Sequence, residues 1–218
     1  MSDHSALRLR DHAYSSFTKK LLSRDIQPGQ IVSQRELVDI TGMPLGAIRE
    51  MIPRLEADGL IKTVPKRGLQ VMSIDLELVR NAFQLRFIIE GEAIAAFCKN
   101  ASSDEIDRLI QQHQDAREEA LHVVTEDILH KAQQTDWAFH DLVIDSLGNS
   151  IISDIHRVNA FKIRLIRNSD TRMLPELVVS VMEEHLAILA ALKERDQAGA
   201  VQAIHAHINS AKRRALGM

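Results

Sequence analysis

The chain has 218 residues, 45% hydrophobic and 26% charged, with a formal net charge of −3. That is the make-up of an ordinary globular protein, and the length suits two domains. No apolar run approaches the roughly 18 residues of a membrane span, the N-terminus MSDHSALRLRDH has no apolar signal core, and one cysteine, Cys98, excludes an intramolecular disulfide framework, so a reducing cytoplasm is the expected compartment.

Residues 1–9 read as polar and mobile and 10–25 as an amphipathic helix with Ala13, Phe17, Leu21 and Leu22 on one side. Ile26-Gln27-Pro28-Gly29 turns the chain into a helix that Ser33 caps and Glu36 completes as a capping box. Leu37 and Ile40 are its apolar face, and Thr41-Gly42 breaks it. A second helix starts near Pro44, a residue suited to a first turn, and buries Ile48, Met51, Ile52 and Leu55, spaced i, i+3, i+4, i+7. Arg49 faces the other way, and Gly59 ends the helix. Leu60-Ile61 and Leu69-Val71 then flank the turn Pro65-Lys66-Arg67-Gly68, a two-stranded basic wing. Two short helices about a glycine turn, an outward arginine and a basic hairpin suit a duplex DNA groove. Charge agrees: residues 1–74 hold 11 Lys+Arg against 8 Asp+Glu, and residues 75–218 hold 16 against 22.

This stretch resembles the winged helix-turn-helix of the GntR family of bacterial transcription regulators. The resemblance rests on Pro28-Gly29, Arg35-Glu36-Leu37, Gly42, Arg49-Glu50, Leu55-Glu56-Ala57-Asp58-Gly59-Leu60 and Arg67-Gly68, and covers roughly residues 10–72. It implies DNA contacts from Arg35 and Arg49 in the major groove and from Lys66, Arg67 and Gly68 in the wing. The chain departs from the family where an arginine, threonine and proline usually precede the arginine helix; here stand Leu45, Gly46 and Ala47, and Pro53 lies inside that helix. Base contacts at residue 45 are therefore not carried over.

A boundary is expected at 72–76, giving a DNA-binding domain over 1–74 and a second domain over 75–218. The second domain reads as helix throughout, over 76–99, 103–121, 124–147, 150–168, 174–194 and 197–215. Ser102-x-x-Glu105 is a capping box, Gly148-Asn149 a stop, Pro175 a first-turn residue and Asp196 a cap. Helices near 20 residues with short loops predict an antiparallel bundle; the fold class is mainly α. Asp136 and His140 lie one turn apart on one helix face and can grip one ion. His185 and His207 come from two later helices that can face the first. Imidazole with carboxylate suits zinc, nickel, manganese or iron, and the sequence does not choose among them. His205 lies about 200° around the helix from His207, so only one of the two can join. His4, His12, His113, His122, His130 and His156 are read as surface or helix-face residues, Trp137 as a core aromatic and Asn149 as a helix stop. Arg86 is either a surface ion-pair partner or an anion anchor.

This half is similar to the all-helical ligand-binding FCD domain of FadR-type GntR regulators, in its shorter six-helix variety. The matching residues are Leu85-Arg86-x-x-x-Glu90, Asp136-x-x-x-His140, Gly148-Asn149, Glu184-His185 and His207. The resemblance selects His207 over His205, favours Arg86 as the effector anchor and implies a small organic-acid effector. The predicted function is a transcription regulator and repressor, binding a palindromic double-stranded operator as a homodimer. A metal-dependent hydrolase is the alternative. It needs a base beside metal-bound water, such as Glu183 or Glu184, and leaves the DNA-reading head unexplained. No H-E-x-x-H and no nucleophile motif occurs.

Overall fold

The computed structural model describes residues 2–122, 124–169 and 175–218; residue 174, where the sequence places the start of the fifth bundle helix, lies outside them. The chain divides into two compact units, Met1–Leu78 and Val79–Met218.

The first unit opens with α1 (Ser2–Leu22), so the helix expected from residue 10 starts eight residues earlier. A two-residue strand β1 (Ile31–Val32), α2 (Gln34–Thr41) and α3 (Leu45–Ala57) follow. Ser33 caps α2 in a complete capping box with Glu36, and Gly42 ends it at φ 69, a left-handed value that favours glycine. α1 packs on α2 and α3. Phe17, Leu21, Leu37, Ile48, Met51 and Leu55 are fully buried there, at the period that an amphipathic helix requires. Ala47 joins the buried stripe, whereas Ile52 is only half-buried. α3 continues through Pro53, whose missing N–H leaves the Arg49 carbonyl without its helical donor.

The wing is a three-stranded sheet, not the expected pair. β2 (Ile61–Val64) and β3 (Gly68–Val71) form the hairpin, and β1 adds to the far edge of β3, giving the order β1-β3-β2 with Ile31 opposite Gln70 and Val32 opposite Leu69. Two residues carry no readable alternation, which is why sequence patterning misses β1. Gly68 makes the third strand possible. A Cβ there would stand 2.7 Å from the Val32 carbonyl oxygen, and φ is 117.

α4 (Leu76–Asn100) starts at the end of the first unit and runs into the second, which also holds α5 (Ser103–His122), α6 (Glu126–Asp145), α7 (Ser150–Ser169), α8 (Val178–Lys193) and α9 (Gln197–Ala215). Pro175 opens a short 3-10 turn, Pro175–Leu177, ahead of α8 rather than the helix itself. Ser102, Thr125 and Asp196 accept backbone N–H bonds at helix starts, and Asn149 Oδ1 accepts two from Ile151 and Ile152, acting as a cap. α8 packs against α5, α6 and α9, and α6 against α5 and α7. Ala116, Ala120, Ala132, Val178, Val181 and Met182 form an apolar cluster between α5, α6 and α8. No described helix is long and apolar enough to cross a membrane.

Candidate metal centre and DNA-reading head

In the first unit the five sequence-predicted DNA residues fall on α2, α3 and the wing. Arg35 and Arg49 are exposed, and Arg49 Nε donates to Gln34 Oε1 at 3.1 Å, tying the second helix to the start of the first. Leu45 is 36% exposed at the N-terminus of α3. Lys66 and Arg67 are exposed at the wing tip, where Arg67 N–H donates to the Val64 carbonyl at 3.0 Å. Pro65 in second place and Lys66 at φ 63 in third follow the pattern of a type II turn. Gly68 is half-buried under β1, so its part is to let strands meet. Away from this face, Arg54 lies 4.0 Å over the Tyr14 ring and Tyr14 donates to Asp58 at 2.7 Å. Burial, then Asp58, pushes the Tyr14 hydroxyl above its ordinary range.

In the second unit Asp136, His140, His185 and His207 are all buried, and one donor atom from each lies within 4.8 Å of the others. His185 Nε2 is 3.3 Å from Asp136 Oδ1 and 3.4 Å from His207 Nε2, and His140 Nε2 is 3.9 Å from Asp136 Oδ1. Ligands about 2.1 Å from a zinc ion in tetrahedral array stand about 3.4 Å apart, so the two pairs made by His185 are at that spacing and the pair of His140 with Asp136 is wider.

Each outer atom is engaged by a different group. His207 Nδ1 donates to Glu184 Oε2 at 2.7 Å, and Arg214 clamps Glu184 through bonds of 2.8 and 3.1 Å. His140 Nδ1 lies 2.8 Å from Glu90 Oε2, off the hydrogen-bond line, and Arg86 Nε donates to the other Glu90 oxygen at 2.6 Å. His185 Nδ1 is 3.0 Å from His113 Nε2. Asp136 Oδ2 accepts from Arg167 at 2.7 Å, and Asp136 Oδ1 has no hydrogen-bond partner among the described residues. Backing of this kind turns imidazole Nε2 lone pairs inward.

The electrostatics agree with that chemistry. Burial first, then the Arg86 guanidinium and the neighbouring imidazoles, pushes His140, His185 and His207 down to about 4, so they stay neutral at pH 7. Burial opposes ionisation of Asp136, but Arg167 and His185 outweigh it and hold the carboxyl well below the usual range. Glu184 is lowered to about 2, since the bonds from His207 and Arg214 exceed the cost of its burial. Three neutral imidazoles and one orphaned carboxylate oxygen fit a divalent transition ion.

Arg86 is no surface residue. It is 5% exposed, paired with Glu90, and its Nη2 lies 2.5 Å from His140 Nε2 and 3.5 Å from His207 Nε2. A cavity beside the cluster is lined by Arg86, Arg164, Arg167, Trp137, His156 and Asn159, among others. Trp137 is half-buried there, with Arg164 4.2 Å over its ring. Glu183 is exposed and paired with Arg117; with Glu184 committed to His207, neither carboxylate is a free base. His205 stacks on Phe87 at 3.6 Å, outside the cluster.

Two of the histidines read from sequence as surface or helix-face residues are buried: His113 and His156. His156 Nε2 donates to Asp141 Oδ1 at 2.9 Å. His113 stands in the apolar stripe Ile106, Leu109, Ala116, Ala120 of α5, and that spacing is the signal that could have found it.

Comparison with known proteins agrees with both halves. The family profile "Bacterial regulatory proteins, gntR family" matches residues 9–71, and "FCD domain" matches 81–210. The HTH-type transcriptional regulator YdhC of Bacillus subtilis (strain 168), itself uncharacterized, is 24% identical over 200 residues, 90% of this chain and 86% of its own. The HTH-type transcriptional repressor GlaR of Escherichia coli (strain K12) is 22% identical over 199 residues, covering 89% of this chain and 90% of its own. A GntR regulator structure from Rhodococcus sp. RHA1 superposes with a TM-score of 0.71 at 17% identity, covering 96% of this chain and 98% of that one. The chain belongs to the GntR family of DNA-binding transcription regulators, in the branch whose second half is an FCD effector-binding domain; these relatives are regulators and not enzymes.

Proposed function

We propose that this GntR-family chain is a repressor, binding a palindromic operator as a homodimer and released by a small organic acid that enters beside a divalent ion in the helical domain. The observation that carries the reading is the convergence of three inward Nε2 atoms and the orphaned Asp136 Oδ1 next to a cavity lined by Arg86, Arg164 and Arg167. Asp136, His140, His185 and His207 would hold the ion, zinc first among those that fit. When bound, it supplies an oxygen-seeking coordination position suited to a carboxylate.

The chain's own residues do the rest. Arg86 is the effector anchor: its guanidinium leaves His140 and takes up the acid's negative charge through paired hydrogen bonds. Glu90 keeps the arginine in reach, and Arg167 keeps Asp136 ionised. α4 carries Arg86 and begins at Leu76, so a pull on Arg86 acts on the helix that leaves the DNA-binding unit. On DNA, Arg35 and Arg49 read the major groove, Lys66 and Arg67 hold backbone or minor groove, and Gly68 shapes the wing. One head covers too few bases for genomic selectivity, hence the dimer. Repression follows the relative named as a repressor.

The test is elemental analysis of the purified protein, then duplex-binding anisotropy with a panel of small carboxylic acids before and after chelation. The expected result is a divalent ion near one per chain and an acid that weakens DNA binding by roughly 5–150-fold only in the loaded protein. No bound or acquirable metal, or a full response in His185→Ala, refutes the reading.

A further inference from the structure

Of the three imidazoles in the cluster, two are backed by carboxylates. The third, His185, is backed by another histidine. His113 lies on α5, 1% exposed, with its ring edge-on to Phe139 at 5.6 Å. Its Nδ1 is 2.7 Å from the Leu109 carbonyl oxygen and its Nε2 is 3.0 Å from His185 Nδ1.

A carbonyl oxygen only accepts, so His113 Nδ1 carries the proton and donates to Leu109. A neutral imidazole has one N–H, which leaves His113 Nε2 as a bare lone pair. That lone pair faces His185 Nδ1, so His185 carries its proton on Nδ1 and donates it to His113. His185 Nε2 is then bare and faces Asp136 Oδ1 and His207 Nε2. The opposite arrangement has an obvious attraction, since His185 Nε2–H could donate to Asp136. It would turn His113 Nδ1 bare against the Leu109 carbonyl, setting two lone pairs against each other in a buried site.

We infer that His113 is a positioning residue for the metal centre: the Leu109 carbonyl fixes its tautomer, and it in turn fixes His185 with Nε2 as a ready ligand. This rests on the metal reading above. The arrangement also decides charge. Glu90 and Glu184 bring negative charge behind His140 and His207, whereas His113 orients its ligand and brings none.

The test uses full-length protein stripped of metal, with its histidines labelled with nitrogen-15. Ring nitrogen shifts report which nitrogen of His185 holds the proton, with no metal present. The expected result is the Nδ1–H form in the wild type and its loss in His113→Leu. Zinc affinity, by competition with a chromophoric chelator, should fall about 10–100-fold in His113→Leu. His113→Gln, whose Oε1 can accept from His185 Nδ1–H, should recover most of it, and a cobalt-loaded sample should regain the wild-type absorption bands. A residue that merely packs would lower the melting temperature in both variants and leave both affinity and tautomer alone. His185 in the Nε2–H form in the wild type, or a His113→Leu protein that holds zinc within twofold of wild type, overturns the inference. A wild type with the expected tautomer that takes up neither zinc nor cobalt overturns the metal reading, and with it the role of His113 toward an ion.

Discussion

Gly68→Ala separates shape from contact in the DNA-reading head. Gly68 sits at φ 117, and an added Cβ would meet the Val32 carbonyl oxygen at 2.7 Å and its carbon at 3.3 Å. The atoms struck are backbone and cannot rotate away. Holding alanine at such a φ costs about 1–3 kcal/mol. Relief by moving β1 away loses the pairing of Ile31 with Gln70 and Val32 with Leu69, at about 0.5–1.5 kcal/mol per hydrogen bond. The expected loss is about 2–4 kcal/mol. For a domain of this size that lowers the melting temperature by roughly 8–32 °C, at about 4–8 °C per kcal/mol. The chain has one tyrosine and one tryptophan. Tyr14 lies in the first unit and Trp137 in the second, so near-ultraviolet dichroism and fluorescence follow the two units separately. Tyr14 should report the fall while Trp137 stays at its wild-type temperature. Gly46→Ala is the control of opposite sign. Apart from its chain neighbours and the helix's own backbone, no described atom lies within 4 Å of a Cβ built there, and alanine in α3 should gain up to about 1 kcal/mol. A Tyr14 transition in Gly68→Ala within about 2 °C of wild type, well under 1 kcal/mol, would refute the close-approach argument.

Arg49→Ala should weaken operator binding by about 1–3 kcal/mol and flatten the preference over scrambled duplex; anisotropy on both duplexes checks it, and unchanged affinity and selectivity would mean that α3 is not the reading helix. Lys66→Ala and Arg67→Ala should each reduce the slope of log affinity against log salt by about 0.9 without altering sequence preference, and a salt titration decides. Removing the ion from loaded protein should lower the Trp137-reported melting temperature, because an ion at 100 times its dissociation constant adds about 2.7 kcal/mol to the folded form; calorimetry with and without chelator checks this. Glu184→Gln keeps the size of the group but weakens the pull on His207 Nδ1, so metal affinity should drop about 10–100-fold, and equal affinity in a chelator competition would show that Glu184 serves Arg214 alone.

The helices of both units were legible because caps and apolar spacing are local signals. Ser33 with Glu36, Gly42 and Asp196 each mark an end that chain neighbours alone determine. β1 was illegible because two residues have no period, and its existence depends on a glycine 36 positions away from Val32. Asp136 and His140 could be paired from sequence because a helix turn brings them together, while the approach of His185 and His207 needed the resemblance as well. The backing groups lay further out of reach. Glu90, His113 and Arg167 act through contacts between different helices, and a polar residue in an apolar stripe reads first as a surface interruption. Arg86 shows the same limit: its buried pairing with Glu90 has the i, i+4 spacing of an ordinary surface ion pair.

The cluster and its backing groups draw on six helices, with Arg86 and Glu90 from α4, His113 from α5, Asp136 and His140 from α6, Arg167 from α7, Glu184 and His185 from α8, and His207 from α9. In evolutionary terms such a set has no cheap single step away from it. Replacing Asp136 by an apolar residue would strand Arg167 and leave imidazoles facing nothing, and replacing His207 would strand Glu184 against Arg214 alone. A polar partner left unpaired costs about 1–3 kcal/mol where it is buried, against a total stability of only about 5–15 kcal/mol. A lineage that gives up the ion must therefore exchange ligands and their backers together, refilling the space with apolar side chains. Relatives should accordingly fall into two groups, with the whole polar cluster or with an apolar core in its place, and few in between.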